Sequence, residues 1–243
     1  MLLGFSFPSP LVQDVVATIV TLGLALGWLR LMDALAHRGV MSPRLSRKII
    51  HIGTGPLFVA CWVLFSDEPL ARWLAALVPG AITLQFVGVG LGLIRDDAAV
   101  SAMTRTGDRR EILRGPLYYG IVFVALTLVF WRESPAGILA LMALCGGDGF
   151  ADIIGRRFGT RKLPGQASKS WAGSVAMFLG SLVFGFGFVV WFSGLGYFPL
   201  DLPRGLAIAM LACLNATVVE ALSPPDVDNL LIVAVVAVIG LAA

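Results

Sequence analysis

Long apolar runs, separated by short polar connections, constrain this chain more than any other feature. Of its 243 residues 58% are hydrophobic and only 14% are charged, where a soluble domain carries about 25% charged residues. The missing charge is concentrated: the run 171–193, WAGSVAMFLGSLVFGFGFVVWFS, holds none. About 20 apolar residues span the hydrocarbon core as a helix. Lipid offers the backbone no hydrogen-bond partners, so only helices or a closed barrel can cross it. The runs lack the two-residue alternation of barrel strands. The expected fold is therefore all-α, a polytopic transmembrane helix bundle forming a single integral membrane domain over residues 1–243.

The runs predict about eight spans, at roughly 11–31, 49–66, 70–94, 116–131, 135–147, 171–193, 205–222 and 229–243, or seven if the short last one lies tilted at the interface. Pro79-Gly80 predicts a kink in the third. The fifth is short, and its helix should run on into Gly146-Gly147-Asp148. Basic residues alternate between connections. Arg38, Arg44, Arg47 and Lys48 lie in the first; Arg95, Arg105, Arg109, Arg110 and Arg114 in the third; Arg156, Arg157, Arg161, Lys162 and Lys169 in the fifth. The intervening connections hold Arg72, Arg132 and Arg204, one each. Basic loops face the cytoplasm, so both termini are expected on the opposite side. No cleavable signal peptide is expected, because the first run lacks a basic start and Gln13 and Asp14 interrupt it. A formal charge of +3, finely distributed, argues against nucleic acid. Cys61, Cys145 and Cys213 lie in apolar runs without metal-ligand spacing and read as small buried hydrophobes.

The residues capable of chemistry gather on the basic side. The densest stretch is Gly146-Gly147-Asp148-Gly149-Phe150-Ala151-Asp152, followed by Gly155-Arg156-Arg157. Asp148 and Asp152 stack on one helix face, where they repel each other unless a cation intervenes. Mg²⁺ takes one or two carboxylates plus phosphate oxygens, and glycines such as Gly147 and Gly149 let backbone approach a ligand. The alternative is a solvated pair balanced by Arg156 and Arg157. Lys169 and Ser170 sit where the sixth span begins, and helix N-termini favour phosphate. The spacing is not that of a Walker A loop. Arg47 and Lys48 share a helix face with His51, a candidate phosphate ligand or proton acceptor, although a lone histidine is more often structural. In Gly107-Asp108-Arg109-Arg110-Glu111 the charges are mixed and suit a segment lying on the membrane; Arg114 and Gly115-Pro116-Leu117-Tyr118-Tyr119 are better site candidates. Asn215 and Glu220 lie within or at the end of the seventh span, and Asp226, Asp228 and Asn229 follow. Glu220 sits deep enough to need a partner. Asp228 is a metal or nucleotide ligand or a helix cap.

RKIIHIGTG at 47–55, GDRREILRGPLYYG at 107–120, GDGFADIIGRRFG at 147–159, KSWAGS at 169–174 and VE…DVDN at 219–229 together resemble the phytol kinase and dolichol kinase group. These membrane enzymes are related to phosphatidate cytidylyltransferases. The GDGxAD form, the arginine pair and KSWxGS look closer to phytol kinases. The chain departs from the pattern at Gly165-Gln166-Ala167, where an asparagine is expected, and at Pro224-Pro225-Asp226, where a more acidic run is common. The resemblance implies transfer of a phosphoryl group from a nucleoside triphosphate, usually CTP, to an isoprenoid alcohol: phytol, geranylgeraniol, farnesol or a longer polyprenol. It implies Mg²⁺ on Asp148 and Asp152, with Glu220 or Asp228 completing the site. Lys169, with Arg47 or Lys48, would bind phosphates. Gly147, Gly149, Arg156, Ser170 and Asn229 would stand near the nucleotide. A carboxylate or His51 would accept the alcohol's proton. A phosphatidate cytidylyltransferase is the rival enzyme. A transporter should instead carry polar groups near mid-membrane and inverted repeats.

Overall fold

The computed structural model describes residues 7–224 and 227–243, so Asp226 lies outside the described residues. Helices start where the sequence supplies caps. Ser9 Oγ accepts from Val12 N before α1 (Pro10–His37), and Ser42 Oγ accepts from Leu45 N before α2 (Pro43–Ala60). Each is followed by a proline at the first turn, where a missing N–H costs nothing. α2 therefore begins earlier than expected, and Arg44, Arg47 and Lys48 ride on its first turns instead of in a loop. A 3₁₀ turn (Cys61–Leu64) closes it. α3 (Ala71–Leu91) stays helical through Pro79. α4 (Asp97–Met103) and a 3₁₀ turn (Arg109–Leu113) lead into α5 (Gly115–Val129).

α6 (Pro135–Met142) passes through a π-helical turn (Ala143–Asp148) into α7 (Gly149–Phe158). The run-on into Gly146-Gly147-Asp148 is thus present, and the helix goes on for ten further residues. A two-stranded antiparallel hairpin, β1 (Lys162–Leu163) and β2 (Gln166–Ser170), precedes α8 (Trp171–Gly194). α9 (Leu202–Leu222) and α10 (Asp228–Gly240) complete the chain.

The fold is all-α and polytopic. Among the described residues six helices are long and apolar enough to cross a membrane: Pro10–His37, Ala71–Leu91, Arg109–Val129, Pro135–Phe158, Trp171–Gly194 and Leu202–Leu222. The two other expected spans fall below that measure. α2 carries Arg44, Arg47 and Lys48, and α10 has only 13 residues. Leu84, Val183 and Val238 are each more than two-thirds exposed, as side chains facing lipid should be.

The chain forms two compact units. The first contains residues up to Ile50 together with Pro56–Val129. In it α3 packs on α5 and on α1. Gln13 and Asp14, which interrupt the first apolar run, have a structural reason. Gln13 Nε2 donates to Leu64 O at 2.9 Å, and the Asp14 carboxylate accepts from Ser66 N and Ser66 Oγ at 2.7 and 2.9 Å. The second unit contains His51–Gly55 and Phe130–Ala243. Its centre is the helix Pro135–Phe158, whose apolar window is 72% buried, against 22–39% for the other membrane-length helices. α8 packs along that helix and on α9, and α10 packs on α9 and α6.

Candidate active site

The second unit brings five chemically capable side chains together from five elements. A π turn widens the helix by one residue per turn and frequently marks functional sites; here it ends on Asp148. Asp148 Oδ2 lies 3.3 Å from His51 Nε2, with side-chain exposures of 13% and 17%. The same ring nitrogen lies 3.1 Å from Leu144 O. A carbonyl and an ionised carboxylate only accept, so Nε2 carries the ring proton in this arrangement. His51 thus holds Asp148 in place through Nε2, and that nitrogen is no base.

The hairpin delivers Lys169 to the foot of α8. Lys169 Nζ donates to Glu220 Oε1 in the last turn of α9 and lies 3.8 Å from Asp228 Oδ2 in the first turn of α10. Glu220 is 5% exposed and Asp228 8%. The partner that Glu220 needed is therefore Lys169. Asp228 does not cap α10, since Val227 holds the cap position; its Oδ1 accepts from Asn229 N at 3.0 Å. Asp148 and Glu220 repel the Asp228 charge and Lys169 attracts it, which ties the His51–Asp148 pair to the Lys169 group.

Other expected site residues take different partners. Asp152 is paired with Arg156, Oδ1 to Nε at 2.6 Å, one turn beyond Asp148. Ser170 is the N-cap of α8: its Oγ accepts from Gly173 N at 3.2 Å and donates to Gly155 O at 3.4 Å. Gly147 and Gly149 serve packing. A Cβ on Gly147 would fall on Ser181 Oγ and 2.7 Å from Met177 Sδ, and one on Gly149 would fall on Ile52. Arg47, in the first unit, donates to Thr104 O at 2.9 Å, and Lys48 follows it on α2. Asn215 is exposed on α9 and bonds Leu211 O within its own helix. The ion pair linking Lys169 to α9 and α10 was not readable from the sequence. Its only signals were a buried-side glutamate and a lysine 51 positions apart.

The carboxylates are hard oxygen donors, the kind that suit Mg²⁺, Ca²⁺ or Mn²⁺. Among the described residues no three His, Cys, Asp or Glu side chains converge into a cage. Mg²⁺ needs no such cage, because it takes one or two carboxylates and completes its shell with water and substrate phosphates. Asp148 and Asp228, both partly buried hard-oxygen donors, fit that habit.

No protein-family profile matches the chain, and no solved structure matches it. Curated relatives do. A probable chloroplastic phytol kinase of Triticum aestivum is 45% identical over 91% of this chain and 75% of its own length. One of Zea mays is 42% identical over 94% and 76%. Phytol kinase 1 of Arabidopsis thaliana, also chloroplastic, is 39% identical over 89% and 71%. At such identity over nearly the whole chain, with the GDGFAD and KSWAGS segments carrying Asp148 and Lys169 of the cluster, this protein belongs to the phytol kinase family.

Proposed function

We propose that this membrane protein is a prenyl alcohol kinase. In this reading it moves the terminal phosphoryl group of a nucleoside triphosphate, CTP foremost, to the hydroxyl of an isoprenoid alcohol, phytol foremost, with Mg²⁺ as cofactor. The observation that carries the proposal is the cluster of His51, Asp148, Lys169, Glu220 and Asp228 in a chain of this family.

Phosphoryl transfer depends on positioning and charge neutralisation more than on covalent help from the protein. Asp148 and Asp228 would hold Mg²⁺, which when bound neutralises phosphate oxygens. Glu220 and Asp228 fix Lys169, whose ammonium then offers a point charge to the triphosphate. The Gly146–Phe150 stretch, pinned against α8, keeps Asp148 from drifting as charge redistributes. The alcohol oxygen forms the new bond to phosphorus, the bond to the bridging oxygen breaks, and the nucleoside diphosphate leaves. With Nε2 of His51 protonated, the alcohol's proton goes to a carboxylate in our reading. The apolar alcohol would enter from the bilayer with its hydroxyl at headgroup level, on the cytoplasmic side that the basic residues favour.

The test is an incubation of purified protein and Mg²⁺ with CTP, ATP, GTP or UTP against phytol, geranylgeraniol and farnesol. The proposal expects phytyl phosphate and CDP as the dominant products. Pyrophosphate release with phosphatidate, and no prenyl phosphate from any alcohol, would move the protein to cytidylyl transfer.

A further inference from the structure

The first unit holds a feature that the proposed kinase site does not use. A cavity of about 590 Å³ opens between the C-terminal end of α3, the 3₁₀ turn Arg109–Leu113 and the start of α5. Its wall includes Arg109, Arg110, Arg114, Leu91, Leu113 and Tyr118. The volume falls within the ~300–1,000 Å³ of small-molecule sites.

The carboxylates of this turn, Glu111 and Asp108, are engaged within it. Glu111 accepts from Arg105 N, Thr106 N and Thr106 Oγ1, and Asp108 Oδ1 accepts from Arg110 N at 2.9 Å. These bonds shape the turn, whose Arg109 and Arg110 line the cavity together with Arg114. Among the described residues, no hydrogen bond or ion pair engages the side chain of Arg109, Arg110 or Arg114. Arg109 is laid over Gly92, where a Cβ would sit 2.5 Å from its Cζ; with φ at +79° the position suits glycine on both counts. Three guanidinium groups around one cavity repel each other until an anion joins them, and their planar forks match phosphate oxygens.

Position narrows the anion. Both α3 and the stretch Arg109–Val129 are membrane-length, so the cavity at their ends lies at headgroup depth. Leu91 in its wall is 56% exposed, and the apolar residues that follow it past Gly92, Leu93 at 80% and Ile94 at 45%, are exposed as well. A soluble nucleotide would gain nothing from these side chains, whereas an acyl chain would cover them. We propose that this cavity binds the phosphate of an anionic phospholipid, with its acyl chains along Leu91, Leu93 and Ile94.

The experiment titrates short-chain phosphatidylglycerol, phosphatidylcholine and, separately, CTP into detergent-purified protein, with thermal unfolding as the readout. Wild type should bind phosphatidylglycerol more tightly than phosphatidylcholine, and raised salt should erase the preference. Arg109→Gln/Arg110→Gln should weaken phosphatidylglycerol about tenfold and leave phosphatidylcholine and CTP unchanged. Arg109→Lys/Arg110→Lys, with charge kept and fork lost, should fall between. Equal wild-type affinity for the two lipids overturns the proposal without any variant. So does a glutamine variant that loses CTP binding instead, since the cavity would then serve the nucleotide.

Discussion

Lys169 serves two carboxylates, and this asymmetry predicts an order of damage. Glu220 meets it directly at 7% side-chain exposure, and Asp228 stands 3.8 Å away at 12%. Glu220→Gln keeps an acceptor for Lys169 and leaves Asp228 to balance the charge. At an effective dielectric of about 20 the remaining attraction is about 4 kcal/mol before desolvation. Removing one partner of a buried pair costs ~3–5 kcal/mol, so Glu220→Gln should lie at the low edge, about 3 kcal/mol. Lys169→Met strands both carboxylates and should reach about 5 kcal/mol. For a chain of this size each kcal/mol moves Tm by about 2–4 °C, giving drops of roughly 6–12 °C and 10–20 °C. The double variant leaves only Asp228 without its cation, so it should melt above Lys169→Met alone. Thermal unfolding in one detergent, without divalent metal, reads all three. A Lys169→Met variant no worse than Glu220→Gln, or strict additivity in the double, would refute the shared-lysine arrangement.

Three further outcomes follow from the same geometry. His51→Gln, which retains an N–H donor for Asp148, should keep at least about tenfold more activity than His51→Ala, with the pH–rate profile unchanged in shape; loss of the acidic limb in both would instead make His51 the base. Gly147→Ala should cost about 1–3 kcal/mol by overpacking against Ser181 and Met177, and adding Ser181→Gly should recover part of it in the same unfolding assay. Asp152→Asn disturbs a pair whose arginine is 52% exposed, so its effect on stability should stay under about 1 kcal/mol, while a large fall in activity would place Asp152 on the metal with Asp148.

Much of the fold was legible because lipid makes burial a matter of composition. Six of the expected spans are membrane-length helices, and serine caps followed by proline mark the starts of α1, α2 and α6. The start of α2 was misplaced because hydropathy ignores helical residues that carry charge, as Arg44, Arg47 and Lys48 do. The extent of the Pro135–Phe158 helix was hidden for a related reason: its second half is amphipathic, buried at Gly149 and Ala151 and exposed at Arg156, Arg157 and Phe158. The site was legible as a set of residue types and obscure as a set of pairs. Asp148, Lys169, Glu220 and Asp228 could be named, and Glu220 was known to need a partner. That Lys169 is this partner, and that Asp148 turns to His51 while Asp152 turns to Arg156, depends on the hairpin and the π turn. Neither leaves a periodic signal. The glycines of the GDGFAD stretch illustrate the same limit, since close approach to a ligand and close packing, of Gly147 on α8 and of Gly149 on Ile52, ask for the same residue.

The central claim is that Asp148 and its neighbours transfer a phosphoryl group to a prenyl alcohol. The direct measurement is phytyl phosphate formation from phytol and CTP with Mg²⁺, comparing wild type with Asp148→Asn at matched unfolding temperature. The account predicts robust product from wild type, loss of at least about a hundredfold in the variant, and no product when Mg²⁺ is chelated. Undiminished phytyl phosphate from a folded Asp148→Asn protein would contradict it.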